Sequence, residues 1–215
     1  DGKLNNALQN CALTVHSGAG VCNEANNANA GGFRIGELQM EAGSTLQGYM
    51  KDSRTSYYLV GCLNTDAELA GTIAPSGYKD GTLLGLIKEG KGTYRSTGNN
   101  NYLTGALRII GGRLLVNNDR AEAEKKKLRR GIGAKTNENE AIVYVFGDGI
   151  LGGTGSIGGT VDNYGTIEPG DDSPGTLTLK NYVSPTKNAN LTVHPASILR
   201  FKVASADSYD RLTVA

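Results

Sequence analysis

A chain of 215 residues with a formal net charge of +1 and 38% hydrophobic residues is long enough to bury one sizeable core and lacks the composition of a disordered segment. Its near-neutral balance gives no electrostatic ground for nucleic acid or an anionic membrane as partner, and no apolar run approaches the roughly 18 residues that span a bilayer. Thirty-one glycines without a three-residue period exclude collagen and indicate many tight turns.

Short alternating runs follow one another along the chain: Leu13 and Val15, Phe33 and Ile35, Leu38 and Met40, Leu107 and Ile109, Leu114 and Val116, Leu177 and Leu179, Leu191 and Val193. Apolar residues two apart are the signature of strands with one buried face. The runs end at Gly, Asn or Asp, as where Ile110 meets Gly111-Gly112 and Val116 meets Asn117-Asn118-Asp119. Residues 119–140 break the pattern. Their centre, Arg120 to Arg130, is built of helix formers without strand alternation, which predicts a charged loop or short helical excursion. The next strand is expected from Ala141 through Phe146.

An internal repeat accompanies these runs. Gly71-Thr72-Ile73-Ala74-Pro75 is followed by Gly81-Thr82-Leu83, and 94 residues on, Gly165-Thr166-Ile167-Glu168-Pro169 is followed by Gly175-Thr176-Leu177. A shorter echo is Leu13-Thr14-Val15-His16 against Leu191-Thr192-Val193-His194. Short strands, sharp corners and repetition predict an all-β fold, a single-stranded right-handed parallel β-helix forming one domain over 1–215. At about 20 residues per turn it would hold roughly ten rungs.

The stretch from Ile87 to Asn118 contains Lys88-Glu89-Gly90-Lys91-Gly92-Thr93, then Gly98 through Gly105 with Asn100 and Tyr102, then Gly111-Gly112-Arg113-Leu114-Leu115-Val116-Asn117. This resembles the passenger-associated transport repeat of autotransporter passenger domains. It departs from that pattern at Tyr94 and Arg95, where Leu-Thr is usual, and at Asn101 and Leu103. The runs from Ile150 to Leu179 and from Ala206 to Val214 are similar to the coils that follow in that family. The resemblance implies a secreted or bacterial cell-surface solenoid, a fragment of a longer protein, acting as an adhesin-like or ligand-presenting scaffold. Its expected partner is a glycan or a host surface protein, with no cofactor and no membrane insertion by this segment.

The side chains that carry chemistry are sparse. Glu168, Asp171 and Asp172 share one turn and form a weak calcium candidate, or an acid and base pair for polysaccharide cleavage. A polysaccharide lyase or glycoside hydrolase on a β-helix fold is the alternative function, by analogy of fold, and this turn is the one place that approaches its paired carboxylates. Gly153-Thr154-Gly155-Ser156-Ile157-Gly158 satisfies the dinucleotide fingerprint but continues into another strand-like run where the fingerprint needs a helix. His16 and His194 should face solvent, and the run Lys125 to Arg130 offers charge without interleaved aromatics. Ten tyrosines, with Tyr57-Tyr58 adjacent, could stack on sugars or cover strand edges. Cys11 and Cys22 could close a short disulfide loop, leaving Cys62 over. No catalytic, cofactor-binding or metal residue is assigned.

Overall fold

A computed structural model of the chain describes residues 5–23, 32–48, 55–75, 83–98, 103, 105–118, 142–180 and 190–215. Among these residues every regular element is a strand, and every strand pairs with its neighbours in parallel. The excursion predicted at 119–140 lies outside the described residues, and the strand expected after it begins at Ile142.

The first row of strands is β1 (Asn5–Val15), β3 (Gly32–Met40), β5 (Thr55–Val60), β8 (Leu83–Lys88), β10 (Leu107–Val116), β11 (Ile142–Gly153), β13 (Thr160–Asn163) and β16 (Leu191–Val193). Each pairs with the next one in that order. A second row uses the C-terminal parts of β1, β3, β10 and β11. It also takes in β6 (Ala67–Leu69), β9 (Thr93–Ser96), β14 (Thr166–Pro169) and β17 (Ile198–Leu199). Two further three-stranded sheets are β2 (Gly20–Asn23), β4 (Thr45–Gly48) and β7 (Thr72–Pro75), and β12 (Ser156–Ile157), β15 (Thr176–Leu179) and β18 (Arg211–Val214).

Because β3 and β10 are long enough to serve both rows, the pairings of β3, β5, β8, β10, β9 and β6 close a ring of six parallel strands. Among the described residues the first row counts eight strands, against the roughly ten rungs expected, and the step between partners is uneven. Val143 pairs with Val161, eighteen residues on, whereas Leu107 pairs with Val143, thirty-six residues on. Connections of different length are absorbed between strands whose ladders stay in register.

Register builds the core. In the first row Phe33, Tyr58, Leu86, Leu107, Val143, Val161 and Leu191 stand partner to partner; Tyr58 through Val161 are fully buried, with Phe33 and Leu191 packed against them. Two residues along lies a second column, Ile35, Val60, Lys88, Ile109, Val145 and Asn163, buried throughout. Each buried Leu, Ile or Val contributes about 1.5–3 kcal/mol over leaving it in water. The intervening residues face outward, so Tyr57 and Tyr58 part company: Tyr58 donates its hydroxyl to the Gln47 carbonyl at 2.8 Å inside, and Tyr57 lies outside.

Close strand stacking is why glycine is dense at the corners. Gly153 has φ of +105°, and a Cβ there would overlap the backbone of Val116. At Gly155 a Cβ would displace the Asn118 carboxamide, which instead accepts from the Ser156 N–H at 2.7 Å and donates to the Ser156 carbonyl at 3.1 Å.

Candidate functional site

The turn that carries the predicted acidic cluster folds over the outer face of the second row. There β9, β10 and β14 alternate buried Tyr94, Leu114 and Ile167 with outward Arg95, Arg113 and Glu168. Asp171 accepts from Arg95 Nε at 3.1 Å and Arg95 Nη2 at 3.2 Å, and from Asn117 Nδ2 at 3.0 Å. Burial works to raise the Asp171 pKa, but the hydrogen bonds from Arg95 and Asn117 and the charges of Arg95 and Arg113 hold it below the usual carboxylate range. The reciprocal bond to Asp171 raises Arg95. Glu168 faces Arg200 at 2.9 Å, Lys202 at 3.5 Å and Arg113 at 3.6 Å. Asp172 is almost fully exposed and reaches Arg95 at 3.7 Å. Four cations thus surround these carboxylates, with Lys202 also 3.0 Å from the buried Asp210.

That arrangement ties strands together. Arg95 sits on β9 and Asp171 beyond β14, so their bidentate pair spans β10 and β11, where Leu115 is fully buried on the outward side between Leu114 and Val116. A calcium ion would have to displace guanidinium groups that already satisfy the carboxylate oxygens. An acid for glycoside cleavage needs a raised pKa, and Asp171 is shifted the other way. Among the described residues no group of three or more His, Cys, Asp or Glu side chains is placed to hold a metal.

A second feature lies on the outer face of the first row. Phe146, Tyr164 and His194 each come one residue after the paired Val145, Asn163 and Val193, so the three rings recur at one place along successive strands. Tyr144 stacks on Phe146 at 5.7 Å between centroids, Phe146 on Tyr164 at 5.6 Å, and Tyr164 on His194 at 3.7 Å, with planes within 13° of parallel. Arg108 bridges the ladder to Tyr57, lying 5.2 Å from the Tyr57 ring and 6.0 Å from the Tyr144 ring. Asp162 stands 3.9 Å from His194 Nε2. Tyr164 is 42% exposed and Tyr144, Phe146 and His194 are half-buried, so the ladder forms a partly exposed aromatic ridge with a guanidinium and a carboxylate along it.

The chain matches no family model and no curated protein.

The other predicted residues fall apart in space. His16 is largely exposed and bonds Glu41 at 3.0 Å; the Ser17 N–H and then His16 lower the Glu41 pKa. His194 stands on the outer face, half-buried beneath the Tyr164 ring that stacks on it. Gly153 to Gly158 runs from the end of β11 through β12 and on to β13 without a helix, so it offers no helix N-terminus to a pyrophosphate. Cys11 lies on β1 and Cys22 on β2, in a different sheet.

Three features went unread in the sequence. Lys88 is fully buried in an aliphatic column, between Val60 and Ile109. Its Nζ donates to the carbonyls of Glu89 at 2.7 Å, Gly111 at 3.2 Å and Gly90 at 3.3 Å, and lies 5.0 Å from the Tyr94 ring centroid. Burial lowers its pKa to about 8 against the opposing pull of Glu89 and Asp66. The phase Leu84, Leu86, Lys88 carried the signal. The Arg95–Asp171 pair and the aromatic ladder had none, since each joins residues set by strand register and not by sequence spacing. The departures at Tyr94 and Arg95 turn out to be structural: the Tyr94 hydroxyl accepts from the Leu38 N–H at 3.0 Å, and Arg95 holds Asp171.

Proposed function

We propose that the chain is a non-catalytic β-solenoid of a secreted or bacterial cell-surface protein, an adhesin-like scaffold whose aromatic ridge meets a glycan. The coil reading is supported by the register: strands join each row in chain order, all parallel, with partner residues buried above one another. In this reading β3 and β10 turn a corner within one strand, which is how six pairings close into a ring. Small-angle scattering should give the elongated profile of a stack; a compact, near-spherical profile would favour a barrel.

The observation that carries the binding role is the ladder of Tyr144, Phe146, Tyr164 and His194, with Arg108 and Asp162 beside it. Aromatic surface with a few polar groups is what a sugar's apolar face and hydroxyls require. The competing reading, a polysaccharide lyase or hydrolase, rests on Glu168, Asp171 and Asp172 standing among Arg95, Arg113, Arg200 and Lys202. The decisive assay exposes the purified domain to an array of neutral and acidic polysaccharides, scoring retention and cleavage together. Retention without cleavage, weakened about tenfold or more by Tyr164→Ala with the circular-dichroism spectrum unchanged, is expected. Cleavage abolished by Asp171→Asn or Asp172→Asn would replace the scaffold by the enzyme.

A further inference from the structure

We propose that Cys11 and Cys62 are the partners of a disulfide that staples β1 to the turn after β5, across Gly36 of the intervening β3. Between the pairs Leu8 with Ile35 and Ala12 with Glu37, β1 spends two more residues than β3, so β1 bulges there and Cys11 lies in the bulge. The bulge leans over Gly36. A Cβ at that glycine would come within 2.5 Å of the Gln9 carbonyl oxygen, 2.7 Å of the Cys11 carbonyl oxygen and 2.8 Å of Leu63 Cγ. Cys62 approaches the same point from the other side. Its Sγ donates to the Gln9 carbonyl at 3.0 Å, and the next residue, Leu63, donates its N–H to the Gly36 carbonyl at 3.0 Å.

β1, β3 and the turn after β5 therefore converge where Gly36 has no side chain, and a residue of any larger size would hold the outer two apart. A disulfide needs Cα atoms within about 7 Å, a separation that ordinary stacking over two strand spacings of about 4.8 Å would exceed. The bulge and the glycine are the features that shorten it.

The chemistry requires an oxidant, here a low-molecular-weight disulfide such as oxidised glutathione. Cys11 is exposed and Cys62 half-buried, which sets the order of attack. The Cys11 thiolate attacks one sulfur of the small disulfide, forming a mixed disulfide and releasing one small thiolate. Cys62 then attacks the Cys11 sulfur, expelling the second. Two protein thiols are oxidised by two electrons, the small disulfide is reduced to two thiols, and the protons of Cys11 and Cys62 end on those products. Burial, with Glu89 adding to it, raises the Cys62 pKa, in keeping with its acting second.

The experiment incubates the whole chain in a glutathione redox buffer, quenches with acid, digests with trypsin and maps disulfides by mass spectrometry. Cys11 and Cys22 share the tryptic peptide 4–34, and Cys62 lies in 55–79, so the bond joins two peptides. The expected result is the joined pair in the wild type and in Cys22→Ser, with a melting temperature raised by several degrees and restored by reductant. In Cys62→Ser, Cys11 should accumulate as the glutathione adduct. Any of three outcomes overturns the proposal: a bond internal to 4–34, a joined pair that persists in Cys11→Ser, or glutathione adducts alone on both residues of the wild type.

Discussion

Replacing Lys88 by Met tests whether the core carries a desolvated cation. An ordinary lysine titrates near 10.5, and Lys88 is lowered to about 8 in the folded chain. Between those values the unfolded chain keeps a proton that the folded chain has released, so stability rises with pH. At about 1.4 kcal/mol per pH unit, the gain by pH 9.5 is on the order of 2 kcal/mol over pH 7.5. Met fills a similar volume and cannot titrate. It also forfeits the bonds to the Glu89, Gly90 and Gly111 carbonyls, against relief of the buried charge. Two raised groups act in the opposite sense, Cys62 above its ordinary value near 9 and Tyr94, pushed up to about 12, above pH 10. Both are common to wild type and variant and cancel in the difference. Urea unfolding at pH 7.5, 8.5 and 9.5 should therefore show the wild type gaining on Lys88→Met by on the order of 2 kcal/mol across the range. Parallel pH profiles would mean that Lys88 titrates as if in water and that its place in the column between Val60 and Ile109 is wrong.

Two further outcomes follow from the corners. Gly153→Ala should cost about 3 kcal/mol or more by chemical denaturation, because φ is +105° and the new Cβ meets the Val116 backbone. Gly147→Ala, with φ of +41° and nothing within 4 Å of the new Cβ, should cost only about 1 kcal/mol; equal losses would refute the close stacking of β11 on β10.

Much of the fold could be read from alternation. Leu13 and Val15, Leu38 and Met40, Leu107 and Ile109, and Leu114 and Val116 all stand in strands, with the last of each pair buried as the period of two requires. The same period, continued one step past Leu84 and Leu86, places Lys88 inside, and only the habit of assigning lysine to the surface hid it. The aromatic ladder was out of reach for a different reason. Phe146, Tyr164 and His194 are eighteen and thirty residues apart, and no single spacing would have collected them. What aligns them is the pairing of Val145 with Asn163 and of Asn163 with Val193, a property of the ladder alone.

The 94-residue repeat shows how far sequence identity and structural place can diverge. Thr72 to Pro75 forms β7, whose partner is β4, in a separate three-stranded sheet. Its copy, Thr166 to Pro169, forms β14 and pairs with β11 in the second row. The downstream halves move likewise: Leu83 opens β8 in the first row, and Thr176 opens β15 beside β12. Each copy is thus followed by a strand in the next row, but the two copies start one row apart. The motif specifies a strand that ends at proline, which cannot donate to a ladder, with the next strand running from Leu83 in one copy and from Thr176 in the other. Any corner can use such a unit. The Leu-Thr-Val-His echo behaves the same way, since Leu13 to Val15 pair with Leu38 to Met40 in the second row and Leu191 to Val193 pair with Val161 to Asn163 in the first. Repetition in this chain encodes the act of turning, and the ladder hydrogen bonds with their buried columns decide where each turn falls.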